Sequence, residues 1–105
     1  ATRAAIREAA DQAADWYKMA AQHGHIMALS GLAGLYLSGD GVAKDPVASV
    51  TLLDIARQLG SGIDRESIDE QMALITQQQS LSSTQLQQAA DLAKRWKKGE
   101  PLPLP

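Results

Sequence analysis

The stretch from Trp16 to Gly60 reads WYKMAAQHGHIMALSGLAGLYLSGDGVAKDPVASVTLLDIARQLG. Glycine and one Asp-Pro pair divide it. Gly24 ends a helix, as glycine does where the chain must turn into the left-handed region. From Ile26 the side chains are apolar nearly all round: Ile26, Met27, Ala28, Leu29, Leu32, Leu35, Tyr36 and Leu37. A helix with that pattern is buried on more than one side. Gly31 and Gly34 would each cost about 1 kcal/mol against alanine in an exposed helix, so they mark places where another backbone comes close. Gly39-Asp40-Gly41 breaks this helix. Asp45 is a good N-cap and Pro46 suits the first helical position, where the missing N–H would be unpaired anyway. Val47, Val50, Leu52, Leu53, Ile55, Ala56 and Leu59 then carry an apolar pattern to the next stop, Gly60.

The flanks follow the same grammar. Upstream, Ile6, Ala10, Ala13, Ala14, Tyr17 and Ala21 fall at three-to-four spacing, with charges on the opposite face. Downstream, Asp64 can cap a helix with Ile68, Met72 and Ile75 on one face, and Ser82 with Gln85 forms a capping box. The spacing predicts helices over about 2–22, 26–38, 46–59, 64–78 and 83–97, one domain over 1–99, and an extended Pro-Leu tail over 100–105. No strand pattern survives. The expected class is all-α, with short loops joining antiparallel neighbours.

A shift of 36 residues lays Ala13–Gly24 on Ser49–Gly60: Ala20 meets Ala56, Gln22 meets Gln58 and Gly24 meets Gly60. A further shift of about 37 residues brings Ala89, Ala90, Leu92 and Ala93 into a weaker third copy. Trp16-Tyr17, Ala20-Ala21, Gly24-His25, Ala28, Leu32, Tyr36, Gly39-Asp40-Gly41-Val42 and Lys44-Asp45 carry a resemblance to the Sel1-like repeat, a relative of the tetratricopeptide repeat. Ala33 stands where the family has glycine, and Leu52-Leu53 replaces the second aromatic pair. The resemblance implies a solenoid of antiparallel helix pairs, about two and a half repeats long. Tyr36 and the Trp16-Tyr17 pair would fill the space between pairs, and Gly39, Gly41 and Val42 would build the turn within a repeat.

Composition excludes several chemistries. There are 105 residues, enough for one domain, which at this size buries roughly 65% of its unfolded surface. The chain has no cysteine, which removes disulfides, thiolate metal sites and a cysteine nucleophile. With 10 basic and 12 acidic residues the formal charge is −2, which gives no electrostatic footprint for nucleic acid. No apolar run approaches the roughly 18 residues of a membrane-spanning helix, and no signal peptide is read.

Each reactive-looking residue has a plainer reading. His23 and His25 flank a glycine turn without a third ligand, so no metal is expected there. Asp40 sits in a Gly-Asp-Gly turn that fits neither a P-loop nor a calcium loop. Ser30 lies mid-helix rather than on a nucleophile elbow. Asp64, Glu66, Asp69 and Glu70 complement the start of a helix, and Lys94, Arg95, Lys97 and Lys98 the end of one. The two sets are also placed to approach each other across the last two helices. The chain is therefore expected to be no enzyme, with no catalytic residue, cofactor or metal.

The expected function is protein binding on a concave helical surface, because repeat arrays present a long wall rather than a pocket. Met27, Ser30, Gly34 and Leu37 are the candidates to line it. The 36-residue shift carries them near Ile63, Glu66, Glu70 and Ala73, so Glu66 and Glu70 would make its far end acidic. The matching partner is a protein or peptide with a basic and partly apolar surface. The resemblance further implies a bacterial adaptor, periplasmic or cytoplasmic. The alternative is an immunity protein that neutralises a co-encoded toxin. Self-association follows if the first helix exposes its apolar face.

Overall fold

In the computed structural model, which describes residues 2–60 and 62–104, the chain is all-α. Its helices are α1 (Arg3–Gln22), α2 (Ile26–Ser38), α3 (Pro46–Leu59), α4 (Ile63–Gln78) and α5 (Ser83–Arg95). No strand occurs among the described residues.

Local chemistry sets the boundaries. Thr2 caps α1 by accepting from the Ala5 amide at 3.1 Å. The Asp45 carboxylate accepts from the Val47 and Ala48 amides, both at 3.1 Å, and Pro46 follows in the first helical position. Ser82 and Gln85 close a reciprocal capping box at the start of α5. One cap differs from expectation. Gly62, at φ 59°, precedes α4, and Asp64 lies inside its first turn rather than at the cap. There the carboxylate still faces the positive end of the helix dipole. At the other end of α5, Trp96 leaves the helix with ψ 138°, so α5 stops at Arg95, short of Lys97.

α3 is the centre of the molecule. Every residue from Ala48 to Ala56 is buried, because α2, α4 and α5 pack around it. Leu52, Leu53, Ile55 and Val50 fill that core together with Leu29 and Leu32 of α2. The buried polar atoms are paired: the Ser49 hydroxyl donates to the Ala33 carbonyl at 2.8 Å, and the Thr51 hydroxyl to the Val47 carbonyl at 2.8 Å. α1 packs on α2. α5 lies along α3, and among the described residues α4 and α5 do not pack extensively on each other.

That placement separates the acidic and basic stretches, which do not pair as expected. Asp69 of α4 instead meets Arg57 of α3 at 2.6 Å, and Arg57 also stands 3.9 Å from Asp54. Burial pushes the Asp54 carboxyl above its ordinary range; Arg57 works against that and Asp69 with it.

The small residues play different parts from those expected. No neighbour lies within 4 Å of the Gly34 Cβ position, so nothing approaches there. Gly31 accommodates a side chain, the Tyr17 ring, which a Cβ would meet at 2.8 Å. The close backbone approach occurs at Gly41, where a Cβ would strike the Ala10 carbonyl of α1. Trp16 does not fill space between helices: it is 75% exposed, and α2 is the helix that packs extensively on α1.

Candidate groove between the second and fourth helices

α2 and α4 both lie on α3 without packing closely on each other, which leaves a groove floored by α3. The α2 wall supplies Met27, Ser30, Gly34 and Leu37. Ala33 and Leu53 form an apolar floor. The wider part encloses about 240 Å³ and continues past Ser30 into a second cleft of about 180 Å³. Two large apolar side chains stand in solvent beside it: Met27 is 87% exposed and Leu74 55%.

The α4 wall is formed by Asp64, Ser67, Ile68, Gln71, Leu74 and Ile75. Glu66 and Glu70 are exposed but do not line the groove. The reason lies in the register. Helix starts recur at 37 residues, from Ile26 to Ile63 and from Pro46 to Ser83. A 37-residue shift carries Met27, Ser30, Gly34 and Leu37 onto Asp64, Ser67, Gln71 and Leu74, all of which line the groove. One residue of slip turns a helix position by about 100°, which sends Glu66 and Glu70 to its outer side. Of the other mapped residues, Ala73 is exposed away from the groove and the Ile63 side chain lies outside the described residues.

Leu74 is the contact that periodicity alone missed, since it lies outside the Ile68–Met72–Ile75 face. The observed N-caps His25 and Gly62, 37 residues apart, set the register that the Gly24–Gly60 match misses by one, and neither makes a side-chain cap bond that its residue type could announce.

The remaining candidates stay dispersed. His23 and His25 are exposed at the end of α1 and the start of α2. Among the described residues no three His, Cys, Asp or Glu side chains gather into a metal-binding group. Asp40 accepts from the Ser38 hydroxyl at 3.0 Å within the α2–α3 turn. No described helix is long and apolar enough to cross a membrane. No protein-family model, curated protein or solved structure matches the chain.

Proposed function

We propose that the chain is a non-enzymatic protein-interaction module that takes a partner segment in the α2–α4 groove. The observation that carries this is the groove itself: an apolar floor over α3, with Met27 and Leu74 held in water at its rim. A partner that covered these two side chains and the apolar depression beside them would remove apolar surface from water. The groove has the form that receives the apolar face of an amphipathic helix. Asp64 at one end, with Glu66 and Glu70 on the adjoining outer face of α4, suits a segment whose apolar anchors are flanked by cations.

The Sel1-like plan supports this reading. The 37-residue spacing of helix starts, the positive-φ Gly39 and Gly41 turn and the Asp45-Pro46 restart all suit stacked helix pairs. On that plan α2 with α3 is one pair of a short solenoid, α4 and α5, which both pack on α3 rather than on each other, take the places of the next, and the chain serves as an adaptor.

Peptides selected on the chain from a displayed random library test the groove. Selected peptides are expected to lose affinity by tenfold or more on Leu74→Glu or Leu37→Glu. They are expected to keep it on Trp16→Ser, whose side chain is distant in sequence and exposed on α1. Peptides indifferent to Leu74→Glu and Leu37→Glu, or a selection that enriches nothing, would overturn the proposal.

A further inference from the structure

Beyond α5 the chain runs Trp96-Lys97-Lys98-Gly99-Glu100-Pro101-Leu102-Pro103-Leu104. Gly99, at φ 94°, reverses its direction. The reversal is pinned to α1: the Gly99 amide donates to the Gln22 carbonyl at 2.9 Å, and the Gln22 side-chain amide donates to the Gly99 carbonyl at 3.2 Å. The Trp96 indole N–H donates to the Glu100 carbonyl at 3.0 Å and the Lys97 amide to the Glu100 carboxylate at 2.8 Å.

Past Glu100 the mode of attachment changes. The backbone bond found within 101–104 is internal, from the Leu104 amide to the Leu102 carbonyl at 2.8 Å, and bends the tail about Pro103. The body is held through side chains alone: Leu102 and Leu104 are half-buried against the core. Open clefts lie between the tail and the body. Pro101, Leu102 and Leu104 share a cleft of about 240 Å³ with Lys18, Gln22 and Tyr36. Pro103 and Leu104 share another of about 480 Å³ with Val47, Ala48, Thr51 and Leu92.

We infer that this second groove, from the C-terminal half of α1 across Tyr36 to the first turns of α3 and to α5, is a binding site for Leu-Pro-Leu segments of a partner protein. The chain's own tail is its occupant in cis. Two leucines either side of a proline bend supply the apolar anchors. Proline has no N–H to leave unpaired and restricts the free segment beforehand, so little ordering entropy is lost on docking. A tethered occupant competes at an effective concentration on the order of millimolar, so the site is masked until the tail is displaced.

The test uses the full chain and a labelled peptide, acetyl-Glu-Pro-Leu-Pro-Leu-Pro-amide. Anisotropy titration of the L102S/L104S double variant is expected to give a Kd at least tenfold below that of the unaltered chain. The peptide with serine at both leucines is expected not to bind. Far-UV circular dichroism confirms that the variant keeps its helices; should it not, Leu104→Ser alone carries the same comparison. Equal or absent binding to the folded variant and the unaltered chain would overturn the inference. So would a concentration-dependent dimer of the unaltered chain that the leucine substitutions dissolve, which would assign the groove to a second copy's tail.

Discussion

Two glycines show how the same residue type can hold opposite positions. Gly41 sits at φ 73° with the Ala10 carbonyl where a Cβ would go. Gly41→Ala therefore meets both left-handed strain and overpacking, and is expected to destabilise the chain by about 2–4 kcal/mol. Gly34 is helical with open space beside it, so Gly34→Ala is expected to stabilise by about 0.5–1 kcal/mol. Urea denaturation of both variants reads the two signs directly. Tyr36 adds a pH-dependent term. Burial, with Asp45 nearby, pushes its phenol above 10.0. As pH rises past 10.0 the unfolded chain loses that proton while the folded chain keeps it, so stability falls over that window and is intact below it. Tyr36→Phe removes this contribution. Its urea midpoint is expected to fall less between pH 8 and pH 10.5 than that of the unaltered chain.

At the scale of elements, the helix caps were the most legible feature. Asp45-Pro46 and Ser82/Gln85 act in the structure as their types dictate, because a cap depends on three or four neighbouring residues. Asp45→Ala removes the carboxylate oxygen that accepts from two amides at the start of the helix on which α2, α4 and α5 pack. The expected loss is about 1 kcal/mol, seen as a fall of roughly 4–8 °C in Tm by calorimetry. Faces were legible only in part. The α2 wall of the groove follows from its own apolar excess, but the α4 wall needed the register that relates α4 to α2. A single residue of slip there exchanges Glu66 and Glu70 for Ser67 and Gln71. Trp16 was misjudged for a related reason: its burial depends on a neighbour for the outer face of α1, and nothing in residues 13–24 specifies one.

For the whole molecule, the arrangement around α3 decides what holds and what yields. The buried run Ala48–Ala56 was visible as an apolar pattern, but that three helices would share it was not. Sequence spacing gives each helix a face and leaves open which neighbours compete for it. Leu52→Ala, at the centre of that sharing, is expected to cost about 2–5 kcal/mol and to lower the urea midpoint of the entire chain in one transition. The tail was foreseen as extended. Its return to α1 depends on Gln22 and Gly99, residues too ordinary in type to announce a pairing so distant along the chain; Pro105 lies outside the described residues.

α4 packs extensively on α3 and on no other described helix. Ile68 and Ile75 bury their side chains there, one exposed ion pair from Arg57 assists, and its N-cap glycine offers no side-chain acceptor. A helix with one neighbour can detach without opening the rest, so its amide hydrogens have an escape route that those of α3 lack. In native-state hydrogen exchange the α4 amides are expected to trade with solvent well before those of Val50–Ala56, whose exchange waits for global unfolding. Uniform protection across both helices would show that α4 is bound more tightly than its neighbours account for. On that expectation one wall of the proposed groove is a layer of low local stability, able to shift its distance from α2 to suit what enters.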